Sequence, residues 1–337
     1  MKVLFRLDAG KKSGLGHLSR NIAIANALKR SNINSFFLIK SDAPSFIEPY
    51  LKNENFENEQ YSFLPYELTS SKDIHCIKKT YNEGFSFLIV DHYNLNISSQ
   101  QKLKESGIKW AQFDHKAKQK ILADIVINSN VSLNKDHYQK LTNKNTELCI
   151  GYKYVILQEK FRNQITHPEK KRILIAFGGA EYPNKILKLI SFLTSHNAYT
   201  FDIVSGDNRL PNISYYKSNI NLHINSNDVK SIYKKCEAAV VAGGVTTYEL
   251  AALNIPMFIV PFVQNQKNNA KALDFNNFGI NFSNTNNFIN ALKNKGLDIL
   301  LKELFSKTST KNLVIDGLGA DRISEKIKNK LTNSNIH

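Results

Sequence analysis

The sequence predicts an α/β protein of two Rossmann-like, doubly wound domains that face each other across a cleft. Apolar runs of strand length alternate with stretches of helical periodicity from end to end, the pattern of parallel sheets covered by helices. Glycine-rich turns follow several of those runs, as they do where parallel strands hand over to helices at a ligand site. The chain's 337 residues also exceed what one hydrophobic core usually serves.

The first series of strands reads "KVLFRL", "NSFFLI", "FSFLIVD", "IKWAQFD" and "ADIVIN". Helices are expected after Gly16 and near residues 70–83 and 97–106. The polar, proline-containing stretch "NQITHPEKK", residues 163–171, reads as a linker. A second series follows it: "RILIAF", "TFDIVS", "NLHIN", "EAAVVAG" and "IPMFIVP". Between these strands "NDVKSIYKKC", with Asn227 or Asp228 placed to cap it, and "VTTYELAAL" read as helices. "ADRISEKIKNKL" reads as a closing amphipathic helix. The expected division is therefore 1–162, 171–320, and a closing helix and tail over 321–337.

Hydrophobic residues at 42% and charged residues at 22% are those of an ordinary globular protein. No stretch resembles a signal peptide or reaches the length of a membrane span, so a cytoplasmic protein is expected. Cys76, Cys149 and Cys236 are far apart in sequence and odd in number, which suggests neither a disulfide framework nor a zinc site but small buried hydrophobes. Lys and Arg number 45 against 29 Asp and Glu, a net charge of +16. Such a balance suits phosphorylated partners, but the basic residues are dispersed and match no nucleic-acid module, so no specific nucleic-acid binding is expected. A monomer is favoured.

"SGLGHLSR", residues 13–20, stands where the first strand meets its helix. Gly14 and Gly16 let the backbone approach a ligand, and the helix N-terminus favours an anion. Ser19 occupies the place of the third glycine of a dinucleotide fingerprint, which weakens an NAD reading. His17 sits at the helix head, where the positive dipole end disfavours imidazolium and keeps the ring neutral, as a general base requires. Arg6 and Asp8 end the same strand and either brace the loop or line the cleft. Arg20, one turn into the helix, is placed to reach ligand or to form a salt bridge.

Asp91, His92 and Tyr93 end another strand, in "FLIVDHYNLN". An aspartate there can fix a histidine tautomer, and a tyrosine hydroxyl can hold water or a sugar group. "DH" recurs at Asp114–His115, again at a strand end. The "DHY" at 136–138 lies in a polar stretch and reads as a solvated loop.

In the second half, Gly243–Gly244 followed by Thr246–Thr247 forms a close backbone approach with hydroxyl donors, suited to a diphosphate. Glu249 can accept from the two adjacent hydroxyls of a ribose. Pro256, Pro261 and Asn265–Gln266 mark the next strand end. Gly178–Gly179 opens the first crossover of this half.

The motifs "FRLDAGKKSGLGHLSR", "LIVDHY", "GYKYVILQEKF", "FGGAEYPN" and "AGGVTTYELAALNIP…NQ", in this order, resemble the family of UDP-2,4-diacetamido-2,4,6-trideoxy-β-L-altropyranose hydrolases of pseudaminic acid biosynthesis. That family is similar in fold to two-domain GT-B glycosyltransferases. The resemblance implies that His17 is the catalytic base, that Tyr93 and Asn265 hold sugar and water, and that the Gly243–Glu249 segment holds UDP. The step expected on this reading is attack of water at the anomeric carbon with inversion; it needs no metal, the sequence shows no clustered carboxylates to hold one, and no cofactor is expected. The chain departs from the family pattern at Gln158, where an arginine is expected, at Ala180–Glu181, where threonine–aspartate is usual, and at His115, where an acid is common. The rival readings are a GT-B glycosyltransferase using a UDP-sugar donor and a non-catalytic nucleotide-sugar-binding protein.

Overall fold

The computed structural model describes residues 1–114, 117–131, 135–162, 165–178, 184–205, 218–226, 228–311 and 313–332, apart from the side chain at position 265. The chain divides into two compact units, one of Met1–Glu159 with Gly317–His337 and one of Lys160–Asp316.

In the first unit the elements run β1 (Lys2–Asp8), α1 (Gly16–Lys29), β2 (Asn34–Ser41), α2 (Pro44–Asn53), β3 (Tyr61–Pro65), α3 (Ser70–Tyr81), β4 (Phe87–Asp91), α4 (Ile97–Glu105), β5 (Trp110–Phe113), β6 (Ile125–Asn128), α5 (Lys135–Gln139) and β7 (Glu147–Ile150). The strands form a parallel sheet in the order β3-β2-β1-β4-β5-β6-β7. The apolar runs are continuous because both faces are covered. Val3, Phe5 and Leu7 of β1 pack with Leu18 and Ile22 of α1 on one face, while Leu4 joins Leu38, Leu88 and Val90 on the other.

The second unit holds β8 (Glu169–Ala176), α6 (Asn184–Leu193), β9 (Thr200–Ser205), β10 (Ile220–Ile224), α7 (Val229–Tyr233), β11 (Cys236–Val241), α8 (Thr246–Ala252), β12 (Met257–Ile259), α9 (Gln264–Phe275), β13 (Gly279–Asn281), α10 (Thr285–Lys295) and α11 (Leu297–Thr308). Its sheet is also parallel, in the order β10-β9-β8-β11-β12-β13. The Asp228 side chain accepts a 3.2 Å bond from the Ser231 N–H and caps α7. Its alternative as the cap, Asn227, lies outside the described residues.

The closing helix α12 (Gly319–Thr332) is part of the first unit rather than a separate tail. Ala320, Ile323, Ile327 and Leu331 form its apolar stripe and complete the core that α1 begins. Arg30 of α1 pairs with both Asp321 and Glu159. Gly319 is required here, because a Cβ at that position would stand 2.2 Å from the Val155 carbonyl oxygen.

Strand order reverses between β1 and β4 in one sheet and between β8 and β11 in the other. Crevices outside the carboxyl ends of such strand pairs are where parallel sheets bind ligands. Among the described residues no helix is long and apolar enough to cross a membrane. Cys149 and Cys236 are buried and Cys76 is half-buried, all three as free thiols.

Candidate functional site

At the first reversal point the head of α1 meets the end of β4. His17 Nδ1 lies 2.8 Å from Asp91 Oδ1 and 3.0 Å from the Asp91 carbonyl oxygen. These two acceptors are nearer than the one donor beside Nδ1, Arg20 Nη2 at 3.2 Å, and favour the tautomer in which Nδ1 carries the proton and the lone pair falls on Nε2. Arg20 grips the same carboxylate, through Nε to Oδ2 at 2.6 Å and through Nη2 to Oδ1. Asn21 Nδ2 donates to Asp91 Oδ2 at 2.6 Å and to the His17 carbonyl at 2.8 Å. Burial alone works against the charge on Asp91. The Arg20 charge and the hydrogen bonds from His17 and Arg20 outweigh it and hold the carboxyl well below its usual range.

Asn21 did not emerge from sequence reasoning, although the signal was present. His17, Arg20 and Asn21 stand at i, i+3 and i+4, one helix face directed at one aspartate. His17 is only 5% exposed, more enclosed than a residue on an open bend would be. Asp91 and Arg20 close its Nδ1 side, and the Tyr93 ring lies edge-on to it with centroids 5.1 Å apart. Tyr93 itself is 65% exposed, so it forms the solvent side of the cluster. The helix dipole is therefore one influence on the imidazole among several, and the nearest charges are those of Asp91 and Arg20.

Of the two roles open to Arg6, the geometry favours bracing. Arg6 is 1% exposed, and its donors end on Asp73 Oδ1 at 2.6 Å, Asp73 Oδ2 at 2.9 Å, Asp8 Oδ1 at 2.7 Å and the Leu7 carbonyl at 2.6 Å. Asp73 is buried in α3, 67 residues away in sequence, and nothing local to Arg6 pointed to it. His92 turns inward beside the same pair. Its Nδ1 accepts from the Asn94 N–H at 3.2 Å, and its Nε2 lies 3.6 Å from Asp73 without a hydrogen bond. Burial, helped by the Arg6 charge, pushes its pKa down to about 4, so the ring is neutral near pH 7. Gly14 adopts a positive φ of 74° in the turn that leads to Gly16, the first residue of α1.

The "DHY" at 136–138 is not a solvated loop. It lies in α5, and Tyr138 is buried, donating to Asp114 Oδ2 at 2.8 Å and accepting from Asn128 Nδ2 at 2.7 Å. Gln158 reaches Tyr50 and Glu54 through Nε2, at 3.2 and 3.3 Å. His115, Gly179 and Ala180–Glu181 lie outside the described residues.

In the second unit Gly178, with φ of 98°, follows β8, and Gly243–Gly244 follows β11 on the other side of the reversal point. The chain passes so close to Gly243 that a Cβ there would lie 2.5 Å from the Gln266 carbonyl oxygen, whereas Gly244 faces open space. The Thr247 hydroxyl is buried and donates to the Gly244 carbonyl at 2.6 Å. It therefore closes the turn rather than facing a ligand. Asn269 Nδ2 reinforces the turn, reaching the Gly243 carbonyl at 2.9 Å and Thr247 Oγ1 at 3.2 Å. Gln266 Oε1 accepts from the Phe262 N–H at 3.2 Å. Thr246 begins α8, and Asn265 is the second residue of α9. Glu249 is half-buried, and desolvation pushes its carboxyl up to about 7 against the opposing charge of Lys160. An acid in this state gains from any ligand that brings hydroxyl donors to it.

Two parallel Rossmann-like sheets, each with glycine turns at its reversal point, define a protein of the GT-B class. Residues 172–327 match the model of the glycosyltransferase family 28 C-terminal domain. The fold is similar to the crystal structure of Acinetobacter baumannii MurG, with a TM-score of 0.67 and 14% identity over 98% of this chain and all of that one. The resemblance drawn from the motifs also holds across the chain. Over 276 residues, covering 80% of this chain and 95% of the relative, it is 24% identical to the UDP-2,4-diacetamido-2,4,6-trideoxy-beta-L-altropyranose hydrolase of Campylobacter jejuni. It is 30% identical over 210 residues to a Helicobacter pylori protein named as a pseudaminic acid cytidylyltransferase and hydrolase of the same compound, covering 58% of this chain and 37% of that one.

Proposed function

We propose that the protein hydrolyses a UDP-linked diacetamido-trideoxy sugar in pseudaminic acid-type biosynthesis, by attack of water at the anomeric carbon with inversion and without a metal. The observation that carries this reading is the commitment of His17 Nδ1 to Asp91, which leaves Nε2 as the basic atom. Similarity to the Campylobacter hydrolase supports the choice of substrate.

In this scheme His17 Nε2 takes a proton from water as the water oxygen bonds to the anomeric carbon. The bond from that carbon to the diphosphate oxygen breaks, and its electron pair leaves with UDP. Asp91 stabilises the imidazolium as it forms. The Gly243–Glu249 segment and Gly178–Gly179 hold the nucleotide, with Gly244 giving the open backbone approach and Glu249 accepting from the ribose. Tyr93 and Asn265 position sugar and water, and Gln266, His92, Asp8 and the Gly14–Gly16 turn support them. Correct placement of water beside a held sugar supplies several kcal/mol of barrier reduction.

The test is incubation of the protein with the UDP-linked diacetamido sugar in the presence of EDTA, with free UDP and the anomer formed first followed by NMR. UDP release with the opposite anomeric configuration is the expected result. Release only on addition of an acceptor alcohol would make the protein a transferase.

A further inference from the structure

A cavity of about 150 Å³ opens in the first unit between the ends of β4 and β5. It shares two walls with the His17 cluster. Tyr93 lies against the His17 ring, and Phe113 carries the Arg20 guanidinium 4.3 Å above its face. Leu95 and Phe113 supply its apolar lining, while His92, Gln112, Asp114, Lys118 and Gln119 supply its polar lining, with the Asp114 and Lys118 charges of opposite sign. Part of the polar lining is held from behind: Asp114 Oδ2 accepts from the Tyr138 hydroxyl and, at 2.7 Å, from the Ala117 N–H, and Gln119 Nε2 donates to the Leu95 carbonyl at 3.2 Å.

We propose that this cavity is the specificity pocket for an acylamino substituent of the sugar, a conclusion that rests on the sugar-nucleotide reading above. A secondary amide matches both linings, because its N–H meets the Asp114 carboxylate or the Gln112 amide while its methyl covers Leu95 and Phe113. A hydroxyl in its place leaves those apolar walls against water. Size agrees, since a cavity of about 150 Å³ admits a guest as large as benzene. An acetamido group has four heavy atoms and leaves room for a slightly longer acyl chain. The position beside Tyr93 places the bound substituent next to the reacting carbon that His17 serves.

The test compares the UDP-linked diacetamido-trideoxy sugar with analogues in which either acetamido group is replaced by hydroxyl, on the full-length protein. Wild type binds the parent about 10- to 200-fold more tightly than one of the analogues, the range for a small apolar group in a fitted pocket. A nuclear Overhauser contact joins that acetyl methyl to the Leu95 methyls. Gln119→Trp, which fills the mouth of the cavity, abolishes the preference and leaves binding of UDP alone unchanged. Equal binding of all three compounds, absence of the Leu95 contact, or an unchanged preference in Gln119→Trp overturns the proposal. UDP affinity measured alongside shows whether the nucleotide reading falls with it.

Discussion

Asp91 Oδ1 and His17 Nδ1 lie 2.8 Å apart, and the same carboxylate is held by Arg20 and Asn21 from the helix that carries the histidine. One aspartate therefore fixes both the tautomer and the direction of the imidazole. Asp91→Asn keeps the shape but offers Nδ1 a weaker and less certain partner. Turnover is expected to fall by about a hundredfold or more, as for loss of a general base, with UDP affinity nearly unchanged. His17→Ala gives the same pattern, and the double variant falls little further, since the two act as a unit. Steady-state kinetics with calorimetry of UDP binding check this, and a fully active His17→Ala removes His17 from the chemistry.

If Glu249 accepts from the ribose as proposed, nucleotide affinity depends on pH. With its carboxyl raised to about 7, it is substantially protonated below that value and cannot accept from both ribose hydroxyls. UDP binding is expected to tighten as pH rises through 7. Glu249→Gln binds more weakly and loses that Glu249-linked component of the pH dependence. Calorimetry from pH 6 to 8 separates the two, and identical profiles would exclude the ribose role.

His92 is expected to contribute to the loss of stability in acid. Its folded pKa of about 4 lies below the ordinary 6.5, so the unfolded chain takes up a proton that the native state refuses. The native state is at full advantage above pH 6.5 and loses it as pH falls toward 4, by about 3 kcal/mol in total from this residue. Urea unfolding of His92→Asn should show a shallower decline over that window than wild type. Equal slopes would mean that His92 does not titrate between the states.

Gly319→Ala tests the seat of α12. Its Cβ would meet the Val155 carbonyl oxygen at 2.2 Å and the Tyr154 and Val155 carbonyl carbons at 2.6 Å, main-chain atoms that cannot swing aside, so about 1–3 kcal/mol of stability is lost. The loss appears in the unfolding of the first unit, and a thermal scan matching wild type would show that the helix shifts freely.

Most strands were legible because parallel strands buried on both faces leave unbroken apolar runs, as in "FSFLIVD" and "RILIAF". Those not anticipated, β3, β7 and β13, are short and stand at sheet edges, where burial on two sides is not required. The site was legible as a set of strand ends, since glycine turns and "DHY" mark where β1, β4, β8 and β11 stop. What each side chain does there was less so. Arg6, His92 and Thr247 stand where ligand contacts were expected, but Arg6 and Thr247 bond within the protein and His92 turns inward, through partners such as Asp73 that are distant in sequence. The stripe of α12 showed that it packs but not on what, because that depends on the whole path of the chain.

The membership of α12 in the first unit affects the order of assembly. As the chain leaves the ribosome, residues 160–316 are all available before the stripe of Ala320, Ile323, Ile327 and Leu331 emerges to cover α1. Domains generally mature from the N-terminus onward during synthesis. Here the earlier-made unit keeps an uncovered apolar flank until the later-made one has been synthesised, so the half that carries His17 cannot reach its native form until the last helix has emerged.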